Sequence, residues 1–293
     1  MKSIYRNKFA TTVFLLPALI LFIGIIVVPI IMSAYYSLHD WNGFTEMKFI
    51  GFDNYVELFT SHNINFGKVL LNVFLYAGLS LFVQLPFSLL LALLLARGRR
   101  GSRFFLSVYF IPVIMSTVVI GQLWLKIYNP DYGILNVALN SVGLDSWAKV
   151  WLGDRNVALM ASFIPTMWQY TGYHMLLMYA AIRSVPPELR EAALIDGASE
   201  WQINFRIIIP AIKPVLKVCA IISIVGSLKV FDLIYILTNG GPAHATEVPS
   251  TLLVDMLFTR GRYGMGSAIA TVLIFLCFFF AIVIRKSFKT EVE

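Results

Sequence analysis

Long apolar runs alternate with short polar segments along the chain, and this pattern predicts a bundle of membrane-spanning helices. A helix needs about 20 mostly apolar residues to cross a hydrocarbon core about 30 Å thick. Six runs are long enough: residues 13–38, 69–96, 104–125, 157–182, 214–237 and 265–284. All except the fifth lack Asp, Glu, Lys and Arg, as expected where a charge at the bilayer centre costs roughly 3 kcal/mol or more. The pattern therefore predicts an all-α integral membrane protein with six transmembrane helices.

Composition agrees with this fold class. Of the 293 residues, 58% are hydrophobic and only 13% are charged, whereas charged residues make up about a quarter of a typical soluble domain. The first run is too long for a cleavable signal peptide, and further spans follow it. We therefore expect one membrane domain over residues 13–285, without a soluble domain.

The distribution of basic residues predicts the orientation of the spans, because cytoplasmic loops collect Lys and Arg. Fifteen of the 23 Lys and Arg residues lie in one set of polar segments: residues 1–12, 97–103, 183–217 and 285–293. The tightest cluster within this set consists of Arg97, Arg99, Arg100 and Arg103. Both termini, residues 1–12 and 286–293, are therefore expected to be cytoplasmic. The net charge of +7 largely reflects this bias and implies no nucleic-acid partner.

The polar segment at residues 186–210 predicts two helices joined by a tight bend. Pro187 suits the first turn of a helix, and Gly197 falls where a helix C-terminus favours positive φ. Ser199 and Gln202 have the spacing of a capping box that starts a second helix. A plain connector is one interpretation, but connections have a median length of about 4–6 residues. The other interpretation is a narrow elbow shaped to enter a groove in a partner.

The residue order in this elbow also resembles the EAA loop in the membrane subunits of ATP-binding-cassette importers. The matching residues are Glu191, Ala192, Ala193, Asp196, Gly197, Ala198, Phe205 and Pro210. Further stretches typical of maltose-transporter-type sugar permeases are GFDNY at 51–55, TNGGP at 238–242 and GRYGMGSAIA at 261–270. The resemblance extends over nearly the whole chain from about residue 13. Ile209 departs from it, since a leucine usually precedes the loop's proline.

The resemblance implies the type I ABC importer permease fold and a multi-pass location in the plasma membrane of a bacterium or archaeon. It also implies a second permease subunit, two ATP-binding subunits, an extracytoplasmic sugar-binding protein and a sugar substrate as partners. The elbow would then be the coupling helix, with Glu191 contacting basic residues of the ATPase and Gly197 forming the bend. ATP and magnesium would be bound by the ATPase subunits, with no cofactor in this chain. The chain itself lacks a phosphate-binding loop, because its only Gly-Lys pair, Gly67-Lys68, precedes Val69.

A path for sugar needs hydroxyl and amide partners along one face of a helix. Ser162, Thr166, Gln169 and Tyr173 form such a stripe on the fourth span, because they are spaced by four, three and four residues. The fifth span offers Ser223 and Ser227, one turn apart. By resemblance to the family, the substrate candidates are Gln169, Tyr170, Tyr173, Ser223 and Ser227, with Gln122 and Trp124 as additions. The alternative is that the small polar residues hold the helices together.

Apart from Lys217 near its start, the fifth predicted span contains two charged residues, Lys229 and Asp232, three positions apart. That spacing allows an intramembrane ion pair on a face turned away from Ser223 and Ser227. If this pair faced the path instead, an acidic or otherwise charged sugar would become a candidate ligand.

Three other functions would each require residues that the sequence offers sparsely or lacks. A glycerol-phosphate importer of the same architecture would need more path-facing cations than Lys229. An ion-gradient-driven carrier would need acidic ion ligands at mid-membrane, where only Asp232 is available. A membrane enzyme or a metal site would need converging His, Cys or carboxylate groups, and we expect neither.

Overall fold

The computed structural model of the chain describes residues 8–98 and 101–287, with side chains from residue 11 onward. The predicted cytoplasmic termini, 1–12 and 286–293, lie largely outside the described residues, as do Arg99 and Arg100. The described residues are mostly helical, with one two-stranded sheet among them, which confirms the predicted all-α fold class. It divides into two compact units. The first comprises the described residues up to Phe66 together with Leu253–Ile274, and the second comprises Gly67–Leu252 and the residues from Phe275 onward.

The N-terminal part of the first unit contains three helices and one small antiparallel sheet. These elements are α1 (Lys8–Phe22), a π-helical turn (Ile23–Val27), α2 (Val28–Tyr36), β1 (His39–Asp40), β2 (Lys48–Phe49) and α3 (Asp53–Thr60). In the sheet, His39 pairs with Phe49 and Asp40 with Lys48. The side chain of Asn54 on α3 donates hydrogen bonds to the carbonyls of Ser37 and His39, at 2.8 and 3.0 Å. The sheet and α3 are therefore fastened to the end of α2.

One bidentate ion pair also stabilises the first unit. Arg262 donates from Nη1 and Nη2 to the two carboxylate oxygens of Glu57, at 2.6 and 2.5 Å. These hydrogen bonds lower the pKa of Glu57 below its ordinary value. The pair links α3 to the residues just before the C-terminal helix.

The rest of the chain consists of helices with short interruptions. The helices are α4 (Phe66–Leu79), α5 (Leu85–Ala96), α6 (Ser102–Ile114), α7 (Thr117–Ile127), α8 (Ile134–Ser141), α9 (Ala158–Arg183), α10 (Pro187–Ile195), α11 (Glu200–Ile203), α12 (Ile209–Ala211), α13 (Lys213–Leu228), α14 (Asp232–Leu237), α15 (Pro249–Val254) and α16 (Tyr263–Ser287). Three further π-helical turns and one 3₁₀ turn occur at Ser80–Gln84, Asn204–Ile208, Asp255–Thr259 and Asp145–Trp147.

Four of the six predicted spans coincide with helical stretches that are long and apolar enough to cross a membrane. These stretches are Thr11–Tyr36, Phe66–Ala96, Lys213–Leu237 and Tyr263–Ser287. The fourth predicted span is α9, whose 26 residues extend about 39 Å and so exceed the hydrocarbon thickness. The polar stripe of α9 lowers its mean hydropathy, so α9 is not among the four stretches named above.

The prediction of a continuous third span is wrong. α6 and α7 meet at an angle of 100°, with Met115 and Ser116 between them in extended conformation. Pro112 removes one backbone donor from the last turn of α6, and Ser116 is a residue type that favours the start of a new helix. The bent pair counts at most as a fifth span.

The core of the second unit lies around α9, which packs mainly against α5 and α6. α9 and α6 approach so closely at Gly172 that a Cβ atom there would collide with the backbone carbonyl of Tyr109. Close approach at a glycine is a common way for membrane helices to pack.

A ladder of buried polar side chains holds the second span against its neighbours. Its members, spaced four residues apart, are Asn72, Tyr76, Ser80, Gln84 and Ser88. Tyr76 Oη donates to Ser162 Oγ at 3.1 Å, and Ser88 Oγ donates to the carbonyl of Thr171 at 3.1 Å. Asn72 donates to the carbonyls of Ala245 and Glu247, which follow the TNGGP turn.

Candidate substrate path and coupling loop

A cavity of about 440 Å³ lies within the second unit, between the predicted second, third, fourth and fifth spans. Its walls come from the π-helical turn after α4, from the bend between α6 and α7, from the middle of α9, and from α13 and α14. Small-molecule sites commonly have volumes of about 300–1,000 Å³. The cavity is therefore large enough for a sugar unit.

Four of the seven candidate substrate residues line this cavity. They are Tyr170, Tyr173, Ser223 and Ser227, joined by Thr166 from the stripe on the fourth span. The two tyrosines offer flat aromatic faces together with hydroxyl groups, and the serines are small hydrogen-bonding groups. Ser227 Oγ donates to Ser80 Oγ at 2.8 Å, so it also fastens the fifth span to the second. The role of these residues in substrate binding stays a prediction.

The remaining three candidates lie outside the cavity lining. Gln169 is buried and donates from Nε2 to Oγ1 of the lining residue Thr117 at 3.4 Å, so it contacts the cavity wall without itself lining the cavity. Gln122 is exposed on α7. Trp124 packs against Tyr128, with ring centroids 5.1 Å apart, and its position suits helix packing. Of the four residues in the predicted stripe on α9, only Thr166 and Tyr173 therefore line the cavity.

Sequence reasoning missed four polar residues of the lining: Ser80, Gln84, Thr117 and His174. Ser80 and Gln84 belong to the polar ladder of the second span, and its four-residue spacing was a usable signal. Thr117 and His174 gave no comparable signal, because the bend before α7 and the rotation of α9 bring them to the cavity.

Several buried polar atoms of the lining have hydrogen-bonding capacity that no described residue satisfies. They are Gln84 Nε2, His174 Nδ1 and Ser223 Oγ. A buried polar group without a partner costs about 1–3 kcal/mol. All three atoms belong to residues that line the cavity, and each has unused hydrogen-bonding capacity.

The predicted pairing of Lys229 with Asp232 is wrong. No ion pair joins these two residues, both of which the structure describes, and both are exposed in the same cavity as Ser223 and Ser227. The prediction assumed an unbroken helix, but the helix is interrupted between α13 and α14, at residues 229–231. Helical spacing therefore does not determine where these side chains point. The cavity has one cation and one carboxylate available to a ligand.

The second candidate site, the elbow at residues 186–210, folds as predicted. α10 begins with Pro187 in its first turn, and Gly197 has a φ of +79°. The amide of Gly197 donates to the carbonyl of Leu194, and the amide of Ala198 donates to that of Ala193, at 3.1 and 2.9 Å. This pair of hydrogen bonds is a Schellman motif, in which glycine is favoured at the left-handed position. The bend is therefore determined by local backbone interactions.

The capping box at the start of the second helix is also confirmed. The amide of Gln202 donates to Ser199 Oγ, and the amide of Ser199 donates to Gln202 Oε1, at 3.4 and 2.7 Å. After Ile203 the helix continues as a π-helical turn and then as α12, with Pro210 near the start of α12. The elbow is thus capped on both sides of its bend.

The tip of the elbow is exposed. Glu191, Ala192, Asp196 and Gly197 are exposed, whereas Ala193 and Ala198 are half-buried and pack against the core. Large apolar side chains are also exposed nearby: Leu194, Ile195, Trp201 and Phe205. The rings of Trp201 and Phe205 stack with centroids 4.9 Å apart. A carboxylate beside an exposed apolar surface suits a docking surface for another protein.

The fold and the two sites together define a multi-pass membrane subunit with a polar cavity among its helices and an exposed, capped elbow. A family model described as "Binding-protein-dependent transport system inner membrane component" matches residues 84–288. The chain belongs to this family of ABC transporter permeases.

Relatives match over nearly the whole chain. A probable ABC transporter permease of Bacillus subtilis, YurN, is 40% identical over 98% of this chain and 99% of its own length. The trehalose/maltose transport system permease MalF of Thermococcus litoralis is 33% identical over 96% and 94%. A solved bacterial ABC transporter that imports the acidic polysaccharide alginate has a chain that superposes with a TM-score of 0.84. Its sequence identity is 25%, over 100% of this chain and 99% of that one.

Proposed function

We propose that this chain is the permease subunit through which an ATP-driven importer moves a sugar into the cell. The observation that carries the proposal is the 440 Å³ cavity among the helices, which is lined by hydroxyl, amide and tyrosine side chains. Sugars are bound by such groups, because their hydroxyls both donate and accept hydrogen bonds and their ring faces stack on aromatic rings. The trehalose/maltose permease among the relatives supports the same substrate class.

The proposed complex contains a second permease, two ATP-binding subunits and an extracytoplasmic sugar-binding protein. A superposable transporter was solved in complex with a periplasmic protein bound to an alginate pentasaccharide, which supports the last of these partners. The exposed elbow supplies the surface for an ATPase, where ATP and magnesium would be bound. This chain would itself be non-catalytic.

The elbow and the cavity suggest how the subunit would work. Closure of the ATPase subunits on ATP would move the elbow as a rigid body, since caps on both sides of the bend stiffen it. The spans joined to it, α9 and α13, contribute much of the cavity lining. Their tilt would open the cavity alternately to the two sides of the membrane.

This mechanism requires the elbow to face the cytoplasm, which gives a prediction for topology. Reporter domains fused after Arg100 and after Ile209 are expected to report a cytoplasmic location. Reporters fused after Asp145 and after Pro249 are expected to report an external one. An external signal after Ile209 would contradict the assignment of the elbow to an ATPase.

Uptake by the reconstituted transporter tests the proposed path with two substitutions on the same helix. Tyr173→Ala removes a cavity-lining side chain and is expected to lower uptake efficiency roughly tenfold, the cost of one or two lost contacts. Ile164→Ala alters an exposed side chain of α9 outside the lining and serves as the matched control, with an expected change of less than about twofold in uptake. Equal effects of the two substitutions would contradict the proposed path.

An acidic sugar is a second candidate substrate, because Lys229 faces the cavity and does not pair with Asp232. The same uptake assay distinguishes it when neutral and uronic-acid oligosaccharides are compared. An acidic sugar is the substrate if only the uronic-acid oligosaccharide is taken up and if Lys229→Met abolishes that uptake.

A further inference from the structure

A second cavity of about 200 Å³ lies on the elbow side of the second unit, away from the proposed sugar path. It is enclosed by the C-terminal ends of α5 and α9, the start of α10 and the turn after α11. Three of its lining residues are arginines: Arg97, Arg183 and Arg190. A cavity needs only about 10–15 Å³ to hold one water molecule, so this one has room for a polyatomic ion.

The positive charge of this arginine cavity is only partly neutralised by the protein. Glu200 pairs with Arg190 at 2.6 Å and with Arg97 at 3.6 Å, so both of its carboxylate oxygens are engaged. Arg183 forms no ion pair with any residue that the structure describes. The C-terminal dipoles of α5 and α9 contribute roughly −0.5 charge each. The N-terminal dipole of α10 adds roughly +0.5, so three guanidinium groups and this dipole against one carboxylate and two C-terminal dipoles leave a charge of about +1.5.

One guanidinium group of the lining has an unsatisfied donor. Nε of Arg97 is buried and has no hydrogen-bond partner among the described residues. Guanidinium groups present planar, forked donors that match the oxygens of a phosphate or carboxylate. A buried guanidinium donor without a partner is costly, and an anion in the cavity would remove that cost.

We propose that the arginine cavity binds a phosphate-bearing anion. Basic pockets at the cytoplasmic ends of membrane helices are suited to the headgroups of anionic phospholipids. Free phosphate offers the same chemistry to the same donors. Because α9, α10 and the turn after α11 all form its walls, a bound anion would brace the elbow against the ends of two spans.

The test uses the purified full chain in nanodiscs of zwitterionic phosphatidylcholine, with its melting temperature followed by tryptophan fluorescence. One arm replaces part of the lipid with phosphatidylglycerol, and the other adds inorganic phosphate at an ionic strength kept constant with chloride. A ligand that binds the folded chain raises the melting temperature in a saturable way. A rise with phosphatidylglycerol identifies a lipid headgroup as the ligand, and a rise with inorganic phosphate identifies the free ion.

Two substitutions with opposite expected effects on anion affinity test whether the anion binds in the arginine cavity. Arg183→Gln is expected to weaken the apparent affinity roughly tenfold, through loss of a charge-assisted hydrogen bond. Because Arg183 has no ion pair to lose, the folded chain should tolerate the change. Glu200→Gln removes the counter-charge and is expected to strengthen the affinity. Arg103→Gln, a matched arginine outside the cavity, is expected to leave it unchanged.

Two results would overturn the proposal. The first is the absence of stabilisation in both arms, which would leave the arginines as a structural network only. The second is an equal loss of affinity in Arg183→Gln and Arg103→Gln, which would mean that anion binding depends on the net charge of the protein and not on this cavity. Neither result would bear on sugar transport, because the assay measures binding without uptake.

Discussion

Glu191→Lys is expected to release the ATP-binding subunits from the purified transporter, with their retention falling roughly tenfold or more. The substitution reverses the charge of an exposed carboxylate at the tip of the elbow, where no described residue pairs with it. It lies outside the predicted spans, so the chain should still insert into the membrane. Subunit retention during purification and sugar-stimulated ATP hydrolysis are the measurements.

The control for Glu191→Lys is Asp145→Lys, which changes the net charge equally at an exposed residue in a predicted external loop. It should leave retention and hydrolysis at the parental level. A parental phenotype for Glu191→Lys as well would show that its carboxylate does not contribute to the ATPase contact.

A second substitution in the elbow separates its shape from its charge. Gly197→Val introduces a β-branched residue at a φ of +79°, which costs about 1–3 kcal/mol of backbone strain. No atom lies within 4 Å of the position of its Cβ, so the strain would come from the backbone alone. Gly197→Asn, which tolerates this conformation, is expected to retain coupling. Normal sugar-stimulated hydrolysis in Gly197→Val would make the elbow a simple connector.

Gly226→Leu is expected to abolish sugar uptake, because it places a large apolar side chain inside the 440 Å³ cavity. No atom lies within 4 Å of the position of a Cβ at Gly226, so the new side chain would enter open space. We therefore expect a folded transporter with an obstructed path, whose uptake falls by roughly a hundredfold or more, corresponding to a steric cost of about 3 kcal/mol. Uptake is measured together with the melting temperature of the purified complex.

The matched control for this obstruction is Gly78→Leu. Gly78 also lies in a helix with no atom within 4 Å of the Cβ position, but it is outside the cavity lining. Both substitutions gain the same helix propensity, so a difference between them reports on the cavity. Unchanged uptake in both would place the sugar path elsewhere.

Local sequence was sufficient to predict the elbow in detail. Its bend depends on hydrogen bonds between residues no more than five positions apart, with Gly197 at the left-handed position and Ser199 as the cap. The apolar runs likewise predicted most of the spans, because the length of a spanning helix depends only on the membrane thickness. Such features need no information about distant parts of the chain.

The bend of the third span was not predicted from the pattern. Pro112 was visible in the run 104–125, but a proline alone is tolerated in many membrane helices. The 100° turn depends on Met115 and Ser116 leaving the helical conformation, and it allows α6 to pack against α9 and α7 to pack against α14. Hydropathy reports how apolar a segment is and contains no information about its direction.

What the sequence by itself determined is therefore local: the fold class, the positions of most spans, and the capped elbow. Tertiary structure decided which polar residues share a cavity, because this depends on how each helix is rotated and where it is interrupted. Tyr173 reaches the cavity and Gln169 does not, although both lie on the predicted stripe. Lys229 and Asp232 reach it because the helix is interrupted between α13 and α14, where the spacing of a continuous helix no longer applies.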